Sequence, residues 1–188
     1  GTHNMTTAGW WDVFVSKLDS SGKFLWAKQM GGTDFDSGEG ISLDSAANIH
    51  ITGFFKDIAD FDPNAGTTNL TAVGGQDFFV SKLDSSGNLL WAKQMGGSGF
   101  DQSNDIAVDK EGNVHATGYF EQTVDFDPGV GVYNLTPTGD YDLFVSKLDT
   151  AGKFLLAKRM GGLNDQVIGT SIALDSTGYV YTSGYFKG

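Results

Sequence analysis

The sequence contains no cysteine, which excludes disulfide bridges and thiolate metal sites and leaves the redox compartment open. Basic side chains are few, 12 against 23 acidic ones, for a formal charge of −11. That sign argues against nucleic acid and anionic membrane surfaces as partners, since both call for a basic footprint. It suits a soluble protein, or one that meets cations. No apolar run approaches the roughly 18 residues that a membrane span needs, so no membrane insertion is expected. No segment carries a convincing 3.6-residue period. There is no G-x-S-x-G, no P-loop, no H-E-x-x-H and no G-x-G-x-x-G between a strand and a helix.

What fills the chain is repetition. "DVFVSKLDSSGKFLWAKQMGG" begins at Asp12, "DFFVSKLDSSGNLLWAKQMGG" at Asp77 and "DLFVSKLDTAGKFLLAKRMGG" at Asp142, 65 residues apart each time. Around them, "GISLDSAANIHITGFF" (40–55) aligns with "DIAVDKEGNVHATGYF" (105–120) and "SIALDSTGYVYTSGYF" (171–186). The copies run approximately 1–65, 66–130 and 131–188 and leave nothing over, so a single repeat domain, or a fragment of one, is expected.

Within a copy, segments of five to eight residues rich in β-branched and aromatic types alternate with Gly-, Ser- and Asp-rich breaks, which is strand-and-turn composition. "LDSSGK" (18–23), "LDSSGN" (83–88) and "LDTAGK" (148–153) read as tight hairpins, with Asp opening the turn and Gly supplying the positive φ. "DSAAN" (44–48) lacks the Gly, so Ala47 or Asn48 must take the left-handed position. Four short antiparallel strands per copy, in tandem, point to an all-β β-propeller whose sheets pack face to face. The innermost strand, "ISLD", "IAVD" or "IALD", is expected to be short and small-sided where the ring tapers.

"IAVDKEGNVHATGYF" (106–120) followed by "DLFVSKLDTAGKFLLAKRMGG" (142–162) resembles the seven-bladed beta-propeller (SBBP) repeats of bacterial surface and secreted proteins. The same pattern recurs at 41–55 with 77–97. The resemblance implies a propeller, an extracellular or cell-surface location and no catalytic residues. It also implies a phase: "IAVD" innermost, "NVHATGYF" second, "FVSKLD" third and "LLWAKQM" outermost. The chain then holds two complete blades, 40–97 and 105–162, flanked by an outer half (12–32) and an inner half (171–188). Such halves leave strand edges open. The expected partners are other copies of the chain or further repeats of a longer one that complete the blades.

Four features bear on chemistry. "DFDP" places Asp60 and Asp62, then Asp125 and Asp127, where alternate carboxylates can offer oxygens to Ca²⁺; the competing role is to cap turns and blunt sheet edges. Asp36, Asp101 and Asp165 add an acid after each "MGG". His50 and His115 stand on successive blades, on the order of 10 Å apart, too far to share a zinc, and a structural role beside Thr or Tyr is expected. Trp10 and Trp11 stand where the other copies have Gly75 and Gln76, or Asp140 and Tyr141. They are candidate interaction residues, while Trp26 and Trp91 read as core. The leading expectation is a non-catalytic acidic scaffold for surface assembly or adhesion. A second reading is a lectin-like propeller that binds glycans or Ca²⁺. A third, an enzyme with an axial site, needs a convergent set of different polar residues, and near-identical copies do not supply one.

Overall fold

The computed structural model describes residues 4–163 and 165–188, and all their regular structure is strand. In chain order the strands are β1 (Val13–Leu18), β2 (Phe24–Gly32), β3 (Ser37–Leu43), β4 (Ile49–Phe55), β5 (Ile58–Asp60), β6 (Asn69–Thr71), β7 (Asp77–Leu83) and β8 (Leu89–Gly97). Then come β9 (Gln102–Val108), β10 (Val114–Phe120), β11 (Val124–Asp125), β12 (Asn134–Leu135), β13 (Asp142–Leu148), β14 (Phe154–Met160), β15 (Gln166–Leu174) and β16 (Val180–Lys187). Two whole blades, β3-β4-β7-β8 and β9-β10-β13-β14, lie between the outer half β1-β2 and the inner half β15-β16. The architecture is a β-propeller sector with the expected phase.

The turns form as their residues dictate. Asp19 Oδ1 accepts from the backbone N–H of Ser21 and of Lys23, both at 2.9 Å. Gly22 closes the hairpin at φ 82°. In the glycine-free copy Ala47 takes the left-handed position at φ 62°, with Asp44 Oδ1 accepting from Ala46 N–H and Asn48 N–H. The side-chain cap holds a conformation that costs an alanine about 1 kcal/mol.

Blades meet face to face because β7 and its equivalents are apolar on both sides. Phe79 and Leu83 pack with Val13, Val15, Ile49 and Ile51 on one side. Phe78 and Val80 pack with Ile106, Val114 and Phe144 on the other. All seven residues of β7 are buried in consequence. Each fully buried Phe contributes on the order of 2–3 kcal/mol from removal of apolar surface.

One expectation needs correction. The innermost strands are not short: β3 and β9 have seven residues and β15 has nine. The four-stranded blades also carry an addition. The "DFDP…NLT" excursion forms a small hairpin, β5-β6 or β11-β12, that adds to the outer strand of the preceding blade. β5 pairs with β2 through Gly31↔Asp60 and Gly32↔Ala59, and β11 pairs with β8 through Val124↔Gly97 and Asp125↔Gly96. This clasp explains the glycines of "MGG". A Cβ on Gly32 would stand 2.0 Å from Ile58 O, and one on Gly97 2.2 Å from Thr123 O.

The clasp also explains "DFDP". Its phenylalanines turn inward, with Phe61 and Phe126 fully buried. The Phe61 ring lies 4.7 Å from Phe79, and that of Phe126 lies 5.3 Å from Phe144. The flanking carboxylates point the other way and hold the hairpin loop.

Candidate functional site

Repeat symmetry shows what is unusual at the two ends. Leu83 and Leu148 are fully buried, whereas their counterpart Leu18 is 56% exposed. Phe55 and Phe120 are fully buried, whereas Phe186 is 80% exposed. Phe14, Tyr181 and Tyr185 are likewise exposed where the inner copies bury or half-bury the equivalent side chain. Among the described residues β1 has a strand partner on one edge only, β2, and β16 has only β15. Beside the open edge of β1 runs a groove of about 420 Å³ lined by Ser16, Lys17 and Leu18 on one wall and Ile41, Ser42 and Leu43 on the other.

In the whole blades the corresponding interior is filled and charged. Lys82 Nζ lies 3.1 Å from Asp44 Oδ2, and His50 Nε2 lies 3.4 Å from the same oxygen. Lys147, Asp109 and His115 repeat the cluster at 3.1 and 3.3 Å. Burial pushes the Asp44 and Asp109 carboxyls up. The side-chain and backbone donors of Asn48 and Asn113, with the Lys and His, outweigh it and hold both well below the usual carboxylate range. Burial, with the neighbouring Lys, lowers both imidazoles. His50 and His115 are buried, and their polar partner is the turn aspartate, where Thr or Tyr was expected. In the third copy Tyr181 takes the histidine's place, its hydroxyl 3.2 Å from Asp175 Oδ2.

A second buried acidic set sits where each "MGG" meets the next blade. Asp36 accepts from Gly32 N–H at 2.6 Å and Lys56 N–H at 3.2 Å, and Asp101 from Gly97 N–H at 2.7 Å and Glu121 N–H at 3.1 Å. Burial, opposed by these donors and aided by Asp12 or Asp77, pushes Asp36 up to about 6 and Asp101 up to about 7. These bonds tie the end of the second strand to the preceding outer strand.

The sequence-predicted site residues fall into two places. Asp60 Oδ1 accepts from Asp62 N–H and Thr68 N–H, and Asp62 Oδ1 from Asn64 N–H. Asp125 Oδ1 accepts from Asp127 N–H and Tyr133 N–H, and Asp127 Oδ1 from Gly129 N–H. The carboxylates are engaged in turn bonds. Among the described residues no three His, Asp or Glu side chains are grouped to hold a metal ion. Trp10 and Trp11 are 72% and 61% exposed. They flank Phe35, Trp10 stacked at 5.5 Å and Trp11 edge-on at 5.2 Å, with Lys56 Nζ 5.8 Å from the Phe35 ring centre. Trp26 and Trp91 are half-buried against the core, and Trp91 Nε1 donates to Thr150 O in the hairpin tip of the next blade.

Comparison with known proteins agrees with this geometry. A family model described as SBBP, beta-propeller repeat, matches residues 90–119 and 157–185. Both matches straddle a blade boundary, from an outer strand into the inner pair of the next blade. The chain is 27% identical over 201 residues to an uncharacterized WD repeat-containing protein of Acanthamoeba polyphaga mimivirus, covering 91% of this chain and 14% of that protein. It is 27% identical over 161 residues to the regulatory protein FlaEY of Caulobacter vibrioides, covering 83% of this chain and 16% of the other. The chain thus spans about one-sixth or less of either relative's length. Matched family segments, blade order and repeat length converge: the chain carries beta-propeller repeats that match the SBBP model at residues 90–119 and 157–185, within a β-propeller sector.

Proposed function

We infer that the chain is a non-catalytic structural and interaction module of an exported protein, whose open strand edges join further propeller segments into a larger assembly. The observation that carries this reading is the exposure of Leu18 and Phe186 at positions that are fully buried in the inner copies. Strand addition would satisfy the unpaired backbone groups of β1 and β16, and the apolar face that comes with them, in one event. The charge of −11 is compatible with a surface that resists unspecific clumping.

Fusing two copies of the chain in tandem tests the edges. The fused protein is expected to protect the β16 amides of its first copy and the β1 amides of its second from hydrogen exchange, and to melt at a higher temperature than the single copy. Fast exchange of both sets in a folded fusion would defeat the reading. Surface location is checked by protease treatment of intact cells of the source organism, where export predicts cleavage. A second reading, glycan binding, draws on the exposed Trp10 and Trp11 pair, since flat aromatic faces suit the apolar side of a sugar ring. Binding on a glycan array that disappears in a Trp10→Ala, Trp11→Ala variant would favour it.

A further inference from the structure

We propose that the pocket over the outer strand β8 receives a guanidinium group, the head of an arginine side chain from a partner polypeptide, with Asp77 as its anchor. The pocket holds about 400 Å³ between Leu70 and Val73 of one clasp and the loop Asp125 to Gly129 of the next, over Ala92 to Gly96. All of these residues lie between 70 and 129, within the two whole blades and their clasps, away from the open strand edges.

Asp77 is the unusual member. It is fully buried. Its carboxylate lies where a side chain on Gly96 would be, since a Cβ there would stand 2.4 Å from Oδ1 and 2.6 Å from Oδ2. Oδ2 accepts from Gln94 Nε2 at 2.7 Å and from Val73 N–H at 3.2 Å. Oδ1 has no partner. A buried carboxylate met only by neutral donors is costly to keep ionised, and burial pushes this carboxyl up. A cation in the pocket offsets that cost.

The third copy shows which cation fits. Where the first two copies have Gln29 and Gln94 it has Arg159, whose Nη1 lies 2.6 Å from Oδ2 of the equivalent buried carboxylate, Asp142. Thr138 N–H donates to the same oxygen at 3.1 Å, in the place of Val73 N–H. One frame of backbone donors thus holds an aspartate that is neutralised from within in the third copy and left with an unpaired oxygen in the second. Asp12 Oδ1 is unpaired in the first as well. An incoming guanidinium takes the place of the Gln94 amide. Its five N–H donors can replace the amide's bonds to Asp77 Oδ2 and Thr71 O and reach Asp77 Oδ1 besides. Leu70, Val73 and Ala92 give its aliphatic stem an apolar wall. Asp125 and Asp127, which each use Oδ1 in the turn, add negative charge that draws a basic side chain in. Lys93, the one basic lining residue, lays its stem over Gly152 of the next blade. Among the described residues no three His, Asp or Glu side chains are grouped for a metal ion, so an organic cation is the better occupant.

N-acetyl-arginine amide is the probe, with N-acetyl-citrulline amide, its uncharged near-isostere, beside it. In amide NMR spectra the arginine probe is expected to shift the Val73, Gly74 and Gly96 signals saturably, and the citrulline probe to leave them in place. Asp77→Asn keeps the shape and an acceptor for Val73 N–H, and should weaken binding by on the order of tenfold. Gln94→Arg puts the third copy's guanidinium on the same carboxylate. It should weaken binding as much while raising the melting temperature, a combination that loss of folding would not produce. Equal shifts from the citrulline probe, or undiminished arginine binding by folded Asp77→Asn protein, would overturn the proposal. So would calcium chloride that shifts the same amides and blocks the arginine probe, since the pocket would then be a metal site. None of these outcomes alters the tandem-fusion test, so the module reading stands or falls separately.

Discussion

The first whole blade and the terminal halves are written in nearly the same words yet live in different surroundings. β7 has every residue buried. β1, which repeats it, is buried only at Val13 and Val15, and β16 is almost wholly exposed although its model β4 is almost wholly buried. Burial here is thus a property of what lies beside a strand. The same residues form a core when covered on both faces and an exposed apolar surface when covered on one.

The largest effect should come from breaking the core copy and sparing the edge copy. Phe120→Ala removes a ring packed against Phe126 and Phe144 and should cost about 3–5 kcal/mol in urea unfolding. Phe186→Ala, at concentrations where single chains dominate, should cost less than about 0.5 kcal/mol. Next comes the clasp. Gly97→Ala drives a methyl group into Thr123 O, a backbone atom that cannot yield alone, so β11-β12 should detach and its amides should exchange rapidly. Gly162→Ala meets only the Asp165 carboxylate, a side chain free to rotate, and should leave stability almost unchanged.

Acidity sharpens the comparison at the inner junctions. Asp36 and Asp101 titrate above the ordinary 3.8 when folded, so between about pH 4 and 7 the folded state binds more protons than the unfolded one. Their stabilising contribution is present at low pH and lost as pH rises through about 6 to 7. His50 and His115 are lowered from 6.5 and act oppositely, their contribution being lost as pH falls below about 6.5. In a His50→Tyr, His115→Tyr variant, which copies the third unit, the melting temperature should climb steadily from about pH 7.5 to 5; the parent profile should be flatter. The smallest difference concerns the hairpin tips. Gly22→Ala and Gly87→Ala both force alanine to a φ near 80°, at about 1 kcal/mol each. Gly22 has open space around it, whereas a methyl at Gly87 would touch the Lys28 stem and Trp26 of the preceding unit. Gly87→Ala should therefore cost slightly more in thermal melting.

The blade plan was legible because it rests on repeats of 65 residues and on turn residues with local consequences: Asp19 caps, Gly22 closes, and Ala47 bears the strain where glycine is missing. The clasp was not. Its strands have two or three residues, too few for a pattern to emerge, and their partner lies in the preceding unit, near Gly31 and Gly32. Alternation in "DFDP" was visible, but nothing in the sequence announced that Phe61 and Phe126 turn into the core while the acids turn out. The Asp44–Lys82 pair was not legible for a related reason. Asp44 caps its own turn through one oxygen, and only the pairing of β4 with β7 brings Lys82 to the other.

The clasp always reaches backwards, from one unit to the unit before it. During synthesis the blade at 40–97 has all four strands once residue 97 has emerged, yet it is latched only when the chain has reached residue 135. An array of such units therefore has a direction in time as well as in space, and a pause in translation between those two points would leave a finished sheet with its outer corner unfastened.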